Sequence, residues 1–198
     1  MTIFYELYGN LYLNLTNRCM NACEFCIRDY DEGIDKNTNL WIEREPTLDE
    51  IITDLKRFDV KKYPEVVLCG YGEPLIKIDE AVGICKFIKE NYDVKIRVNT
   101  NGLASWFHNK NVAKELSGLV DIVSISLNHK DKKGYNELCH PDCGEDAFDE
   151  ILDFTREAKK YIPRIIMTVV DVISPEDIKE CQKIAESLGA EFRVREKI

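Results

Sequence analysis

The 198-residue sequence predicts an α/β fold on a mostly parallel sheet. Three observations carry that prediction. Short runs rich in Val and Ile alternate with longer helix-like runs along the whole chain, the pattern of parallel strands joined by crossover helices. The helix-like runs have start and stop signals at their ends. Five of the strand runs lead directly into polar or glycine-rich segments, at the strand ends where α/β folds keep their chemistry.

The strands are predicted at LYLNLT (11–16), EVVLCG (65–70), VKIRVNT (94–100), DIVSISL (121–127), RIIMTVV (164–170) and AEFRVR (190–195). Between them, helices are predicted over 47–58, 78–91, 108–117, 145–161 and 175–188. Thr47 with Glu50 three residues later forms a capping box. Ser174 before Pro175 places a cap residue ahead of a proline at the first helical position. Gly118 and Gly189 follow helix ends, where a left-handed residue is wanted. Crossovers between parallel strands are right-handed. A closed eight-stranded barrel takes ~250 residues, so this chain predicts either an open arc of strands or a doubly wound sheet. No linker-like or low-complexity stretch interrupts it, which predicts one domain over 1–198 with no accessory domain after it.

Apolar residues make up 44% of the chain and charged residues 32%, a globular balance, and the net charge is −9. Nucleic-acid binders displace counterions with a Lys/Arg surface, so the acidic balance weighs against a general grip on RNA or DNA. No run of ~18 apolar residues predicts a membrane helix, and MTIFYELYGN lacks the basic start of a signal peptide. The expected location is cytoplasmic. Eight cysteines in that setting point to metal or redox chemistry more than to disulfides.

Three of those cysteines stand together in CMNACEFC: Cys19, Cys23 and Cys26. Thiolates select zinc or iron–sulfur centres. Structural zinc wants four closed ligands, and the next cysteine is Cys69 and the first histidine His108. Zinc would need a distant fourth donor. A four-iron cluster on three cysteines leaves one iron open to a small ligand. The residues between the cysteines, among them Asn21, Ala22 and Glu24, do not fit a buried strand or a helix face, so three unligated core cysteines are a poor reading.

CMNACEFC resembles the Cys-x3-Cys-x-aromatic-Cys motif of the radical S-adenosylmethionine (SAM) superfamily, with Phe25 in the aromatic place. CGYGEP (69–74) is similar to that family's Gly-Gly-Glu segment, with Tyr71 as a departure, and NTNG (99–102) and SLN (126–128) resemble its segments after later strands. The resemblance implies an open three-quarter TIM-type barrel, a partial (β/α)6 barrel. It implies a 4Fe-4S cluster on Cys19, Cys23 and Cys26, with SAM bound at the open iron and cleaved by one electron to a 5′-deoxyadenosyl radical that abstracts hydrogen from substrate. Gly70, Gly72 and Glu73 would hold the methionine amino end and Ser126 its carboxylate. Phe25 and the strand around Thr168 would contact adenine. Asn99, Thr100 and Asn128 complete the candidate cofactor contacts, and a low-potential flavodoxin or ferredoxin would supply the electron. Residues 12–19 and 26–28 more narrowly resemble the small TatD-associated radical SAM proteins, which would make a TatD-type hydrolase a partner. The rival readings are a glycyl-radical-enzyme activase and an iron–sulfur or zinc protein that does not cleave SAM.

From the residues alone, Gly70 and Gly72 suggest close approach of a ligand to backbone. Strand alternation predicts that Asn99 and Thr100 face opposite sides unless the strand ends there. CHPDC (139–143) is read as a substrate-facing or structural loop in preference to a second metal site, and Cys85 and Cys181 as core residues. The acidic segment 28–46, with its Leu40-Trp41-Ile42 run, is read as a solvated loop anchored by the tryptophan, or as a lid. With no further domain to cap the site, closure is expected from a large substrate, a second protomer or a partner protein.

Overall fold

The computed structural model describes residues 1–29 and 39–197 of the chain. Its strands are β1 (Phe4–Leu7), β2 (Asn10–Leu13), β3 (Glu65–Leu68), β4 (Lys95–Thr100), β5 (Ile122–Ser126), β6 (Arg164–Val170) and β7 (Glu191–Arg195). Its helices are α1 (Leu48–Leu55), α2 (Ile78–Asn91), α3 (Ala104–His108), α4 (Val112–Glu115), α5 (Lys132–Cys139), α6 (Ala147–Tyr161) and α7 (Pro175–Ser187). The strands lie in one sheet in sequence order, β1 to β7, with β1 antiparallel to β2 and every other pair parallel. A doubly wound sheet reverses its strand order partway. This one does not, which decides for the open arc over the doubly wound alternative.

The two faces of the sheet differ. Leu13, Leu68, Val98, Ile125 and Met167 pack into one large apolar core that also takes buried residues from every helix, α1 to α7. Each such aliphatic side chain contributes about 1.5–3 kcal/mol when fully buried. The opposite face carries a separate, smaller cluster of Tyr5, Tyr12, Leu40, Val67 and Tyr71, which among the described residues takes nothing from α1 to α7. Helices on one side only are the winding of a barrel wall, and the helix-free side is its interior. Among the described residues no helix is long and apolar enough to cross a membrane.

The predicted caps form. Thr47 accepts from the Glu50 amide while the Glu50 carboxylate accepts from the Thr47 amide, and Ser174 accepts from the Asp177 amide at 3.0 Å. Gly118 and Gly189 are left-handed, at φ 72° and 65°. Cys85 and Cys181 are fully buried.

Three elements depart from the sequence expectation. β1 joins β2 through a two-residue turn in which Tyr8 (φ 49°) and Gly9 (φ 73°) are both left-handed. The helix expected over 108–117 is two short helices, α3 and α4, broken where Asn109 turns left-handed at φ 50°. α5 fills a stretch taken for loop, capped by the Asp131 carboxylate on the Gly134 amide at 2.8 Å. Of the 28–46 segment, residues 30–38 lie outside those described. In the rest, Leu40 and Ile42 are the anchors, both buried. Asn14 donates to the Leu40 carbonyl at 2.7 Å and Asn17 to that of Ile42 at 2.7 Å. Trp41 is 49% exposed and rests edge-on against Tyr71, so the tryptophan is not the anchor.

Candidate functional site

The loop after β2 carries Cys19, Cys23 and Cys26, all free thiols and all half-buried. It is held from two sides. On one side α5 ends in carbonyls that its own helix cannot satisfy. The loop supplies the donors: Ala22 N–H to the Cys139 carbonyl and Glu24 N–H to that of Leu138, each at 3.0 Å. The Asp142 amide returns a bond to the Met20 carbonyl at 2.9 Å, and the buried Asn21 amide donates to the Tyr135 hydroxyl at 2.8 Å.

On the other side lies the loop after β3. Gly72 N–H donates to the Thr16 carbonyl at 3.0 Å and Glu73 N–H to that of Arg18 at 2.8 Å. The two backbones approach so closely that a Cβ on Gly72 would stand 2.4 Å from both the Thr16 and Arg18 carbonyl oxygens. A Cβ on Gly70 would meet the Asn14 side chain at 2.0 Å. These glycines make room for the neighbouring loop and its strand. Gly72→Ala is expected to destabilise the fold by about 3 kcal/mol or more, since rigid backbone cannot yield to the added methyl. Thermal melting measures the loss, and iron uptake should fall with it.

Glu73 is 3% exposed. Its carboxylate accepts from the Leu75 amide (3.0 Å), the Thr100 hydroxyl (2.9 Å) and the Asn101 amide (2.7 Å). The group thus ties the β3 loop to the end of β4. Burial raises its pKa to about 7, against the pull of those three donors. β4 continues as strand through Thr100, so Asn99 and Thr100 do face opposite sides. Thr100 pairs in register with the core residue Ile125 and reaches Glu73 beneath the loop. Asn99 faces the interior, where its amide oxygen accepts from Arg97 at 3.1 Å. Asn101, not singled out in the sequence, directs its amide at the Cys19 sulfur at 3.7 Å. It joins the cysteine loop to the Glu73 knot.

The remaining candidates spread over the strand ends. Ser126 faces the interior and accepts from Arg195 at 3.5 Å. Asn128, buried and left-handed at φ 57°, donates to the Cys139 sulfur at 3.6 Å. Thr168 is buried beside Ser126 in the sheet register, and its carbonyl accepts from the Leu127 and Asn128 amides. Phe25 is half-buried against the main core. In CHPDC, Cys139 bonds the Cys23 thiol, and His140 lies 3.5 Å from the Glu24 carboxylate. That segment is thus a support of the cysteine loop.

Cys19 and Cys23 stand in a setting that keeps their thiols protonated when no metal is present. Burial, then the nearby Glu73 carboxylate, pushes Cys19 up to about 12. The Cys23 thiol is raised further, first by its bond to Cys139 and then by burial. Metal binding must displace those protons. Among the described residues no three His, Cys, Asp or Glu side chains converge on a single ion point, whereas structural zinc needs four donors about 2.0–2.3 Å from one centre. A cubane asks for one thiolate on each of three irons. Three free cysteines on one loop fit that demand. Hydrogen-bond donors already face two of the sulfurs: the Asn21 amide on Cys19 at 3.4 Å and Arg28 Nε on Cys26 at 3.2 Å. Such donors tune iron–sulfur centres.

Sequential parallel strands, helices on one face and a three-cysteine loop after the first parallel strand define an open-barrel α/β protein with a thiol-rich mouth. The model of the Radical SAM superfamily matches residues 13–188, and the chain belongs to that superfamily of enzymes. It is 32% identical over 117 residues to the dual-specificity RNA methyltransferase RlmN of Wigglesworthia glossinidia brevipalpis, covering 55% of this chain and 29% of that protein. It is 27% identical over 195 residues to a probable GTP 3′,8-cyclase of Thermococcus kodakarensis, covering 94% of this chain and 57% of that one. The solved structure of native anSMEcpe with bound AdoMet superposes with a TM-score of 0.67 at 18% identity, covering 94% of this chain and 50% of that one. The chain thus spans between 29% and 57% of the length of these proteins.

Proposed function

We propose that Cys19, Cys23 and Cys26 hold a 4Fe-4S cluster and that the protein is a SAM-cleaving enzyme acting on a substrate in the barrel interior. When bound, the cluster supplies one-electron cleavage of the SAM sulfonium, yielding a 5′-deoxyadenosyl radical for hydrogen abstraction. The observation that carries this reading is the link from Cys19 through Asn101 to Glu73 and back through the Glu73 amide to Arg18. It places the cysteine loop and the glycine–glutamate loop side by side at one end of the sheet.

The chain's own groups then divide into two kinds. Gly72, Glu73, Thr100 and Asn101 position the loops, so that Gly70 to Gly72 present backbone to the methionine amino end. Ser126 and Asn99 face the interior, where they would exchange their bonds to Arg195 and Arg97 for contacts to SAM, and Phe25 and the strand around Thr168 supply surface for adenine. Asn128 acts at one remove, by holding Cys139 against Cys23. An electron donor of flavodoxin or ferredoxin type would approach the half-buried cysteine loop. A TatD-type hydrolase as partner rests on the resemblance at 12–28 alone.

Anaerobic reconstitution with iron and sulfide, followed by dithionite and SAM, tests the reading. Iron and sulfide should bind in equal amounts and 5′-deoxyadenosine should accumulate on chromatography. Iron uptake without that nucleoside would favour an electron carrier, and retention of zinc would remove the cluster altogether.

A further inference from the structure

β7 brings two arginines to the barrel interior that no sequence motif marks. Phe192 packs into the helix-side core, so Arg193 and Arg195, its neighbours in alternation, take the other face. The contacts agree: Arg195 Nη2 reaches the interior Ser126 hydroxyl of β5 at 3.5 Å, passing over β6. In register, Arg193 stands beside Thr168 and Arg195 beside Val170.

The interior holds other basic residues, and those have counterions. Arg97 pairs with Glu65 at 2.8 Å, and Arg164 with Glu191 at 2.7 Å. Among the described residues, neither Arg193 nor Arg195 lies within ion-pair distance of a carboxylate. The Nε of Arg195 is buried with no hydrogen-bond partner. This occurs in a chain with 36 acidic side chains against 27 basic ones, where a counterion would be easy to supply. A guanidinium keeps its charge at any working pH, and an unpaired charge withdrawn from water, as at Arg195, is costly. Arg193, two residues earlier on the strand and exposed, lies about 7 Å away, and the two present a fork of donors suited to an oxyanion.

The opposite wall is apolar and aromatic. Tyr5 and Tyr12 have ring centroids 5.3 Å apart, and Tyr71 packs in the same cluster. Cys69 belongs to that wall and its thiol also feels the Arg195 charge. The sheet therefore curves enough for both walls to face one chamber.

We propose that Arg193 and Arg195 form an oxyanion subsite for the substrate, which carries a phosphate or carboxylate on a body flat and apolar enough to lie against the tyrosine wall. The proposal rests on the interior being the reaction chamber. The same oxyanion chemistry could come from the methionyl carboxylate of SAM. Arg195 lies near the strand ends beside Ser126, and Arg193 stands one step further back along the interior wall; a ligand spanning both extends beyond the Ser126 position, and this favours the substrate.

Phenylphosphate is the probe, titrated calorimetrically into reconstituted protein saturated with SAM. Wild type should bind it. Arg195→Gln and Arg193→Gln should each weaken binding tenfold or more, Arg195→Lys should lie between, and SAM affinity should stay within twofold in all three. Equal phenylphosphate binding in wild type and Arg195→Gln would overturn the proposal. So would a large loss of SAM affinity in Arg195→Gln with phenylphosphate displaced by SAM, which would assign the pair to the cofactor. If circular dichroism shows Arg195→Gln unfolded, the exposed Arg193→Gln decides. Titration into metal-free protein separates this question from cluster chemistry. Binding there, without 5′-deoxyadenosine formation by the reconstituted protein, keeps the subsite and rejects the radical reading.

Discussion

Cys23→Ala is expected to reduce 5′-deoxyadenosine formation to the dithionite-only background and to lower bound iron sharply. Of the three loop cysteines, Cys23 is the one bonded to Cys139, whose carbonyl and helix hold the loop. Its loss removes one of only three thiolates, and a cluster cannot shed another ligand and stay anchored on two. Cys139, though beside Cys23, is fully buried and held by Asn128, so it is not expected to take over. Iron analysis, the electron paramagnetic spectrum of the reduced protein and chromatography of the nucleoside read the outcome. Cys143→Ala is the control. Among the described residues that half-buried thiol makes no hydrogen bond to the cysteine loop, and its removal should leave all three signals at wild-type level. A Cys23→Ala protein that still makes 5′-deoxyadenosine would reject the cluster assignment.

The second large effect falls on Glu73. Glu73→Ala leaves the Leu75 and Asn101 amides and the Thr100 hydroxyl without their acceptor. Buried donors left unpaired cost about 1–3 kcal/mol each. Because the three share one acceptor, a total on the order of 3–5 kcal/mol is expected in denaturant unfolding. The charge adds a pH signature. With a folded pKa of about 7 against an ordinary 4.5, the native protein holds a proton that the unfolded chain has lost between those values. Stability should therefore fall as pH rises through that window, by at most about 3 kcal/mol, and level off above it. Glu73→Gln should flatten that slope while costing less than the alanine variant. A wild-type profile that is flat from pH 5 to 8 would show the carboxylate ionised throughout, with its three donors outweighing burial.

The parallel strands were legible because Val and Ile runs such as EVVL and RIIMTVV have few other uses. The cysteine loop was legible because three thiols in eight residues are rarely incidental. What stayed hidden has specific causes. β1 turns into β2 through Tyr8 in a left-handed conformation that favours glycine or asparagine, so the turn signal was half absent. α5 buries little beyond Tyr135 and Cys139 and has a glycine in its first turn, too thin a stripe for periodicity to reveal. The break at Asn109 needed a left-handed asparagine, which composition does not announce. Gly72 and Glu73 were found as residues, but their packing tasks were not visible: the approach of Thr16 and Arg18 shows why the glycine is required, and the Thr100 and Asn101 donors from the end of β4 show how the carboxylate ties two loops together. Arg195 was missed because a charged strand end ordinarily reads as solvent-facing.

The contact between Asn21 and Tyr135 spans 114 positions of chain, and that separation bears on how the protein matures. During synthesis the three thiols leave the ribosome long before the segment that frames them exists. Nascent chains therefore carry loose cysteines rather than a finished cradle, and loading of the proposed cluster is expected only after Tyr135 has emerged. A truncated chain ending at residue 128 should take up iron poorly, even with every ligand present.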